Sequence, residues 1–296
     1  MTELQRYLAE EVAEDHADGI ITRREAMRRL GLLGVSGAAA TTFLKAGLAE
    51  AKGGHHRHRH DHPRGDAFRE WAPTATEAIT WEGPNGTMMG AWAAAGKHAK
   101  GGVLVIHENR GLNDHIRQVA GRFAAVGFSA LAIDLLSEEG GTGSFPDEAA
   151  VAAALSQVPP TRFDQDMKSG ITELKRRTKS KNLAAIGFCF GGGMVWRLLA
   201  ATEPRLSAAA PFYGPFPEGG NLKGNKAAVL GVYGGLDARV NATRDAAHQA
   251  LHAAKLRHEI LTFTEADHAF FNHTGARFNA PAAAEAWRRV IAWFDD

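Results

Sequence analysis

The residues best equipped for chemistry are one cysteine, one aspartate and one histidine. The 296-residue chain has a single cysteine, Cys189, in the run Gly187-Phe188-Cys189-Phe190-Gly191. A thiol acts as an acyl-transfer nucleophile when it is exposed on a strained turn, has a base within hydrogen-bond reach and faces an oxyanion hole. Candidate partners lie downstream: Asp237 ends Gly234-Gly235-Leu236-Asp237, and His268 sits in Ala266-Asp267-His268-Ala269-Phe270. In that chemistry His268 deprotonates Cys189 or holds it as thiolate, then protonates the leaving group. Asp237 orients the imidazole and stabilises its cation. Plainer readings exist. A buried cysteine is commonly a small core residue, an aspartate after a strand commonly caps a helix, and His268 is one of 14 histidines. Asp267 is a rival acid, but adjacent residues do not easily form the required bond.

Such residues need rigid elements behind them. Leu183–Phe188 reads as a buried strand and Gly192–Ala200 as a helix, so Cys189 falls on the turn between them. Upstream, 78–81 and 88–93 are short strands around Gly83-Pro84-Asn85-Gly86, a hairpin signal. The continuous apolar runs 102–107 and 128–135 read as strands covered on both faces. Between them, Ile116, Val119, Ala120 and Phe123 mark a helix over 115–126. Further on, the pattern predicts a helix at 163–177, strands at 208–213, 228–233 and 258–264, and helices at 241–255 and 281–294, the last with Pro281 at its start. Strands alternating with helices imply a mostly parallel sheet covered on both faces. Asp237 then lies just past one strand end and His268 past the next.

A nucleophile between strand and helix, followed in chain order by acid and histidine, resembles the α/β-hydrolases, with Cys where Ser usually stands. That fold supplies the oxyanion hole from the N–H of the residue after the nucleophile, Phe190, and an N–H from the loop after the third strand, here assigned to Asn109. The helix start at Gly191 adds positive potential that favours a thiolate.

Within that superfamily the residues resemble the dienelactone hydrolase family (carboxymethylenebutenolidases and relatives). The match rests on the Gly-x-Cys-x-Gly elbow (Gly187, Cys189, Gly191), the Gly-x-x-Asp acid loop (Gly234 to Asp237) and the base loop Asp267 to Phe270. It runs over roughly 79–294. The resemblance implies an ester or lactone hydrolase that needs no cofactor or metal. It adds one residue: His107-Glu108-Asn109-Arg110-Gly111 is similar to the family's His-Glu-x-x-Gly segment, whose Glu contacts the resting nucleophile. By that analogy Glu108 takes the thiol proton or holds Cys189 until substrate arrives; its plainer reading is a strand-end carboxylate paired with Arg110 or Arg117. There is one departure. Relatives that bind a carboxylated lactone carry an arginine four residues after the histidine, and this chain has Asn272. Arg277 and Arg110 are the cationic substitutes, with surface solvation as their plainer reading. Phe270, Phe271, Trp81 and Tyr213 are candidates to line an apolar pocket.

The first 51 residues read differently. Thr22-Arg23-Arg24 precedes an uncharged, Gly/Ala/Leu-rich stretch from Leu30 to Leu44. It is too short and too weakly apolar to span a membrane. It suits the apolar region of a twin-arginine signal, with Ala49-Glu50-Ala51 as a small-x-small cleavage pattern. The expected division is a signal at 1–51, a flexible linker at 52–70 and an α/β-hydrolase domain at 71–296. The expected address is the periplasm or outside the cell, reached by the twin-arginine machinery, with no stable membrane anchor after cleavage. The acidic run from Glu10 to Asp18 is unusual for a signal and keeps an amphipathic cytosolic helix in view. The linker carries five histidines in the eight positions 55–62. Its spacing matches no structured zinc site, so loose metal affinity is its expected extent. A formal net charge of +1 gives no long-range attraction to nucleic acid, and one cysteine forbids an internal disulfide. Two readings compete with the ester hydrolase: an exported metal binder using the histidine tract on a non-catalytic scaffold, and a thioesterase built on the same triad.

Overall fold

A computed structural model describes residues 1–53, 72–96 and 99–296. The histidine tract and the rest of the expected linker from 54 to 70 lie outside the described residues, whereas 52 and 53, also expected in the linker, are helical. The chain groups into two units, one of 1–61 with 143–158, the other of 62–142 with 159–296.

The larger unit is built on an eight-stranded sheet: β1 (Glu77–Glu82), β2 (Thr87–Ala93), β3 (Gly101–Ile106), β4 (Phe128–Asp134), β5 (Leu183–Phe188), β6 (Ala208–Phe212), β7 (Ala228–Gly234) and β8 (His258–Phe263). Their order across the sheet is β1-β2-β4-β3-β5-β6-β7-β8. β1 and β2 form an antiparallel hairpin and β2 pairs antiparallel with β4; the remaining pairings are parallel. β3, β4, β5, β6 and β7 are buried throughout, which is why each reads as an unbroken apolar run.

The chain leaves β3 toward β4 on one side and later returns as β5 on the other. Open parallel sheets form a crevice at the carboxyl ends of the strands where the order reverses this way. The loop holding Glu108 follows β3, and Cys189 follows β5.

The helices are α4 (Asp114–Ala125), α6 (Pro160–Thr178), α7 (Phe190–Ala200), α8 (Ala238–Asn241), α9 (Arg244–Ala253) and α10 (Ala280–Asp295); α1 to α3 and α5 belong to the smaller unit. Asn113 caps α4 through the N–H of Ile116, and Asn279 caps α10 through that of Ala282. α4 and α10 share a layer in which the Phe123 ring meets Trp287 and Phe294. α6 and α7 share another, where Phe163 meets Phe190 edge to face.

Two expectations change here. The helix expected over 241–255 is α9, somewhat shorter at 244–253, and an unexpected short helix, α8, precedes it, starting directly after Asp237. In addition, 143–158, which carried no assignment, contains α5 (Glu148–Gln157) and groups with the N-terminal residues rather than with the sheet.

The smaller unit has α1 (Glu3–Ala17), α2 (Arg23–Leu32), α3 (Gly37–Gly53) and α5. Thr2 and Gln5 form a reciprocal capping box at the start of α1. Gly47 lets α3 approach α1 closely, since a Cβ there would stand 2.9 Å from the Ala13 carbonyl oxygen. Thr22 caps α2, leaving Arg23 and Arg24 exposed in its first turn. The uncharged stretch from Leu30 to Leu44 is broken after α2, at Gly34, whose φ is +78°. Among the described residues no helix is long and apolar enough to cross a membrane.

Candidate active site

The turn between β5 and α7 is strained in the manner expected of a nucleophile. Cys189 has φ +56° and ψ −120°, a backbone region that non-glycine residues rarely occupy, at a cost of about 1–3 kcal/mol. Two glycines make the turn possible by close approach. A Cβ on Gly187 would lie 2.1 Å from the Gly191 carbonyl oxygen, and one on Gly191 would lie 2.4 Å from that of Ile106. The elbow is anchored across the sheet by Cys189 N–H donating to the Phe212 carbonyl at 3.1 Å.

Asp237 and His268 come together. His268 Nδ1 lies 2.6 Å from Asp237 Oδ2, with both side chains buried. The other oxygen, Oδ1, accepts from the Val240 N–H at 3.1 Å, capping α8. Asp237 is therefore both helix cap and imidazole partner, and the cap fixes which oxygen faces the ring. The rival Asp267 is engaged elsewhere: its Oδ1 accepts from the His268 backbone N–H at 2.7 Å, and its other oxygen lies 3.7 Å from Arg277 Nε.

The Cys189 sulfur lies within 4.8 Å of a ring nitrogen of His268. The second nitrogen, Nε2, is buried and makes no hydrogen bond of good geometry. Burial opposes charge on this ring. The Asp237 carboxylate and the adjacent Cys189 sulfur outweigh it and hold the imidazole well above its ordinary 6.5. On Asp237 burial pushes upward, and His268, by charge and hydrogen bond, and Arg239 bring it below its ordinary value. The directions agree: the pair favours imidazolium beside carboxylate.

Exposure is where the structure departs from expectation. Cys189 is 2% exposed, His268 1% and Asp237 0%. The strained turn is present, but the sulfur on it is buried.

Glu108, also buried, accepts from Asn272 Nδ2 at 2.6 Å. The amide cannot be flipped without loss, because its Oδ1 accepts from the N–H and hydroxyl of Thr274. Thus Asn272, the uncharged residue four positions after His268, holds Glu108 through a neutral donor. That contact was invisible in the sequence, where the two residues are 164 positions apart. Tyr213 is near both Glu108 and Cys189. Burial first, then their negative charge, pushes its phenol well above 10. Its ring stands 5.3 Å from that of His268.

The remaining expected residues divide. Phe190 and Asn109 lie at the start of α7 and in the loop after β3, beside the elbow. Arg110 is half-buried, and its charge reaches His115. Arg277 lies against Asp267 in the base loop. Phe270 is fully buried, with its ring against Tyr213 and Phe263, so it supports the base loop from inside. Phe271 is packed against Phe188 and Phe212 beneath the elbow. Trp81 is on the edge strand β1 and donates to Ser169, far across the sheet order from β5.

A neighbouring His pair was missed: His115 and His273 bring Nδ1 atoms to 3.0 Å. This is a hydrogen bond between rings, in which at least one nitrogen must be an unprotonated acceptor. Burial, then the positive charge of His273, Arg122 and Arg110, holds His115 well below 6.5.

This geometry agrees with known proteins. The model of the dienelactone hydrolase family matches residues 89–296. A protein of Escherichia coli O157:H7 with the provisional name carboxymethylenebutenolidase is 32% identical over 225 residues, covering 71% of this chain and 83% of that protein. A crystal structure from Klebsiella pneumoniae, provisionally described as a dienelactone hydrolase, is 31% identical and superposes with a TM-score of 0.64, covering 75% of this chain and 99% of that one. A dienelactone hydrolase-like promiscuous phosphotriesterase from metagenomic libraries is 26% identical, with a TM-score of 0.63 over 74% of this chain and 98% of that one. Sheet order, elbow and matched length lead to one conclusion: the chain has the α/β-hydrolase fold and belongs to the dienelactone hydrolase family.

Proposed function

We propose that this protein hydrolyses a carboxylic ester or lactone through a thioacyl-enzyme on Cys189. The observation that carries the reading is the buried imidazole–carboxylate pair beside a cysteine on a strained strand-to-helix turn.

The His268 imidazole takes the Cys189 proton, and the sulfur attacks the acyl carbon. The carbonyl π electrons move to oxygen, giving a tetrahedral oxyanion. The backbone N–H groups of Phe190 and Asn109 are suited to receive it; neither has a protein acceptor among the described residues. On collapse the C–O bond breaks, and the imidazolium protonates the departing alkoxide. In a lactone that alkoxide stays tethered as the hydroxyl of the opened acid. Water then adds to the thioester, its proton passing to His268, and the thiol returns as the acid leaves. Asp237 stabilises the imidazolium in both halves without itself taking the proton. Glu108, held by Asn272, is the second carboxylate of the site and, by family resemblance, the contact of the resting thiol.

The test is hydrolysis of p-nitrophenyl acetate by the wild type, Cys189→Ala and Cys189→Ser. Loss of turnover in the alanine variant, with a fold intact by circular dichroism, is expected; retained turnover ends the reading. We further propose export through the twin-arginine pathway, on the strength of Arg23-Arg24 and the uncharged stretch after them. Expression of the full chain with and without Arg23→Lys and Arg24→Lys, followed by fractionation, tests it; equal export of both forms contradicts it.

A further inference from the structure

We propose that His107 is a positioning residue for acyl transfer, its ring aiming the two backbone donors of the oxyanion hole; this rests on the thioacyl reading above.

His107 is fully buried and directly follows β3. Each face of its chemistry is used. Leu135 N–H, at the end of β4, donates to Nε2 at 3.1 Å. Nε2 is therefore the unprotonated nitrogen, and the proton must sit on Nδ1. Nδ1 lies 2.6 Å from the Glu108 carbonyl oxygen, so Nδ1–H donates there. The ring face stacks on that of Phe190, with centroids 6.0 Å apart and planes 25° from parallel.

The consequence follows from peptide geometry. The Glu108 carbonyl and the Asn109 N–H belong to one planar trans unit, and they point in opposite directions. Fixing the carbonyl therefore fixes the N–H. The same carbonyl also accepts from Gly111 N–H at 3.1 Å, closing the turn. Without the His107 bond, this carbonyl would lose its side-chain anchor in a loop with no regular structure, keeping the Gly111 contact. The Phe190 donor is held from the other side: the same ring packs on its side chain, and Gly191 brings α7 within contact of the Ile106 and His107 carbonyls. One imidazole thus sets the spacing of two donors that come from different strands. Burial holds this ring below its ordinary 6.5, which keeps the neutral tautomer in place near neutrality.

The test uses three full-length variants. His107→Phe keeps a ring against Phe190 but loses both hydrogen bonds. His107→Asn places an amide N–H near the Nδ1 position, restoring the donor to the Glu108 carbonyl. His107→Gln reaches the Nε2 position and restores only the acceptor for Leu135. The probe is 1,1,1-trifluoro-2-butanone. Cys189 Sγ adds to its carbonyl carbon, the thiol proton passes to His268, and the adduct carries an oxyanion.

Phe and Gln at 107 are expected to weaken the adduct and lower kcat for p-nitrophenyl acetate by about 10- to 100-fold, with KM within about twofold. Asn is expected to recover most of the loss. Alkylation of Cys189 by iodoacetamide, which forms no oxyanion, should stay within about threefold of wild type in every variant that folds. If the Phe variant does not fold, the contrast between Asn and Gln decides. Equal ketone affinity in all variants, or Asn and Gln behaving alike, overturns the proposal. So does a loss of iodoacetamide reactivity in step with kcat. If the wild type forms no ketone adduct on Cys189, the thioacyl reading itself fails and this inference falls with it.

Discussion

Replacing Asp237 by Asn separates charge from shape at the heart of the site. The Asn oxygen can keep accepting from the Val240 N–H at 3.1 Å, so the cap of α8 survives. Its NH2 then faces His268 Nδ1, where a carboxylate stood 2.6 Å away. A donor there forces Nδ1 to accept and moves the ring proton to Nε2. That is the nitrogen required to take the thiol proton, so the base is lost in its ground-state tautomer. The charge is lost as well. Two unit charges about 2.6 Å apart at an effective dielectric near 20 attract by roughly 6 kcal/mol, of which desolvation already consumes part, because both groups are buried. A net loss of about 4 kcal/mol corresponds to about a 10³-fold fall in kcat.

The assay is steady-state hydrolysis of p-nitrophenyl acetate from pH 6 to 10, beside thermal unfolding. Without Asp237 the His268 ring loses the partner that raises it. The imidazolium–thiolate form is then disfavoured, and residual activity should climb toward alkaline pH as the thiol ionises without a cation beside it. An Asn variant with intact melting and more than a third of wild-type kcat at pH 7 would refute this reasoning. So would an unchanged pH profile.

Other consequences can be checked directly. Gly191→Ala places a Cβ 2.4 Å and 2.5 Å from the Ile106 and His107 carbonyl oxygens; it should cost at least about 2 kcal/mol, seen as a lower denaturant midpoint, and an unchanged midpoint would mean that the elbow is looser than described. With Cys189 2% exposed, a bulky aromatic disulfide reagent should modify it at least about 100-fold more slowly in the native protein than in denaturant; comparable rates would show an open thiol. The folded chain holds His115 below its ordinary value, so below pH 6.5 the unfolded state binds the extra proton and stability is lost as pH falls. His115→Phe should remove up to about 1.4 kcal/mol per pH unit of that slope between pH 6.5 and 5, and identical slopes by urea unfolding would contradict it.

What could be read from the sequence, and what could not, divides by the range of the interaction. Cys189 was legible because its neighbours Gly187 and Gly191 mark a close approach and because an apolar run meets a helix there. Asp237 and His268 were legible as residues just past strand ends, since β7 and β8 are contiguous segments whose ends fall within a residue or two of those expected. The cap on α8 was not, because a four-residue helix has too little periodicity to register. Asn272 holding Glu108 is a pairing between loops after different strands, and no local pattern encodes it. The use of both His107 nitrogens likewise depends on Leu135 arriving beside it through the β3–β4 pairing. The burial of Cys189 was missed because a turn motif encodes backbone strain, not what surrounds the side chain.

The proposed chemistry places a covalent bond on one sulfur, that of Cys189. Rapid acid quench of the enzyme with a panel of esters and lactones, followed by intact-mass and peptide mass spectrometry, tests it most directly. The expected result is a stoichiometric acyl adduct mapped to Cys189, lost in Cys189→Ala and accumulating in His268→Ala when a highly activated ester is supplied. An adduct on any other residue, or turnover that persists in Cys189→Ala without one, would contradict it.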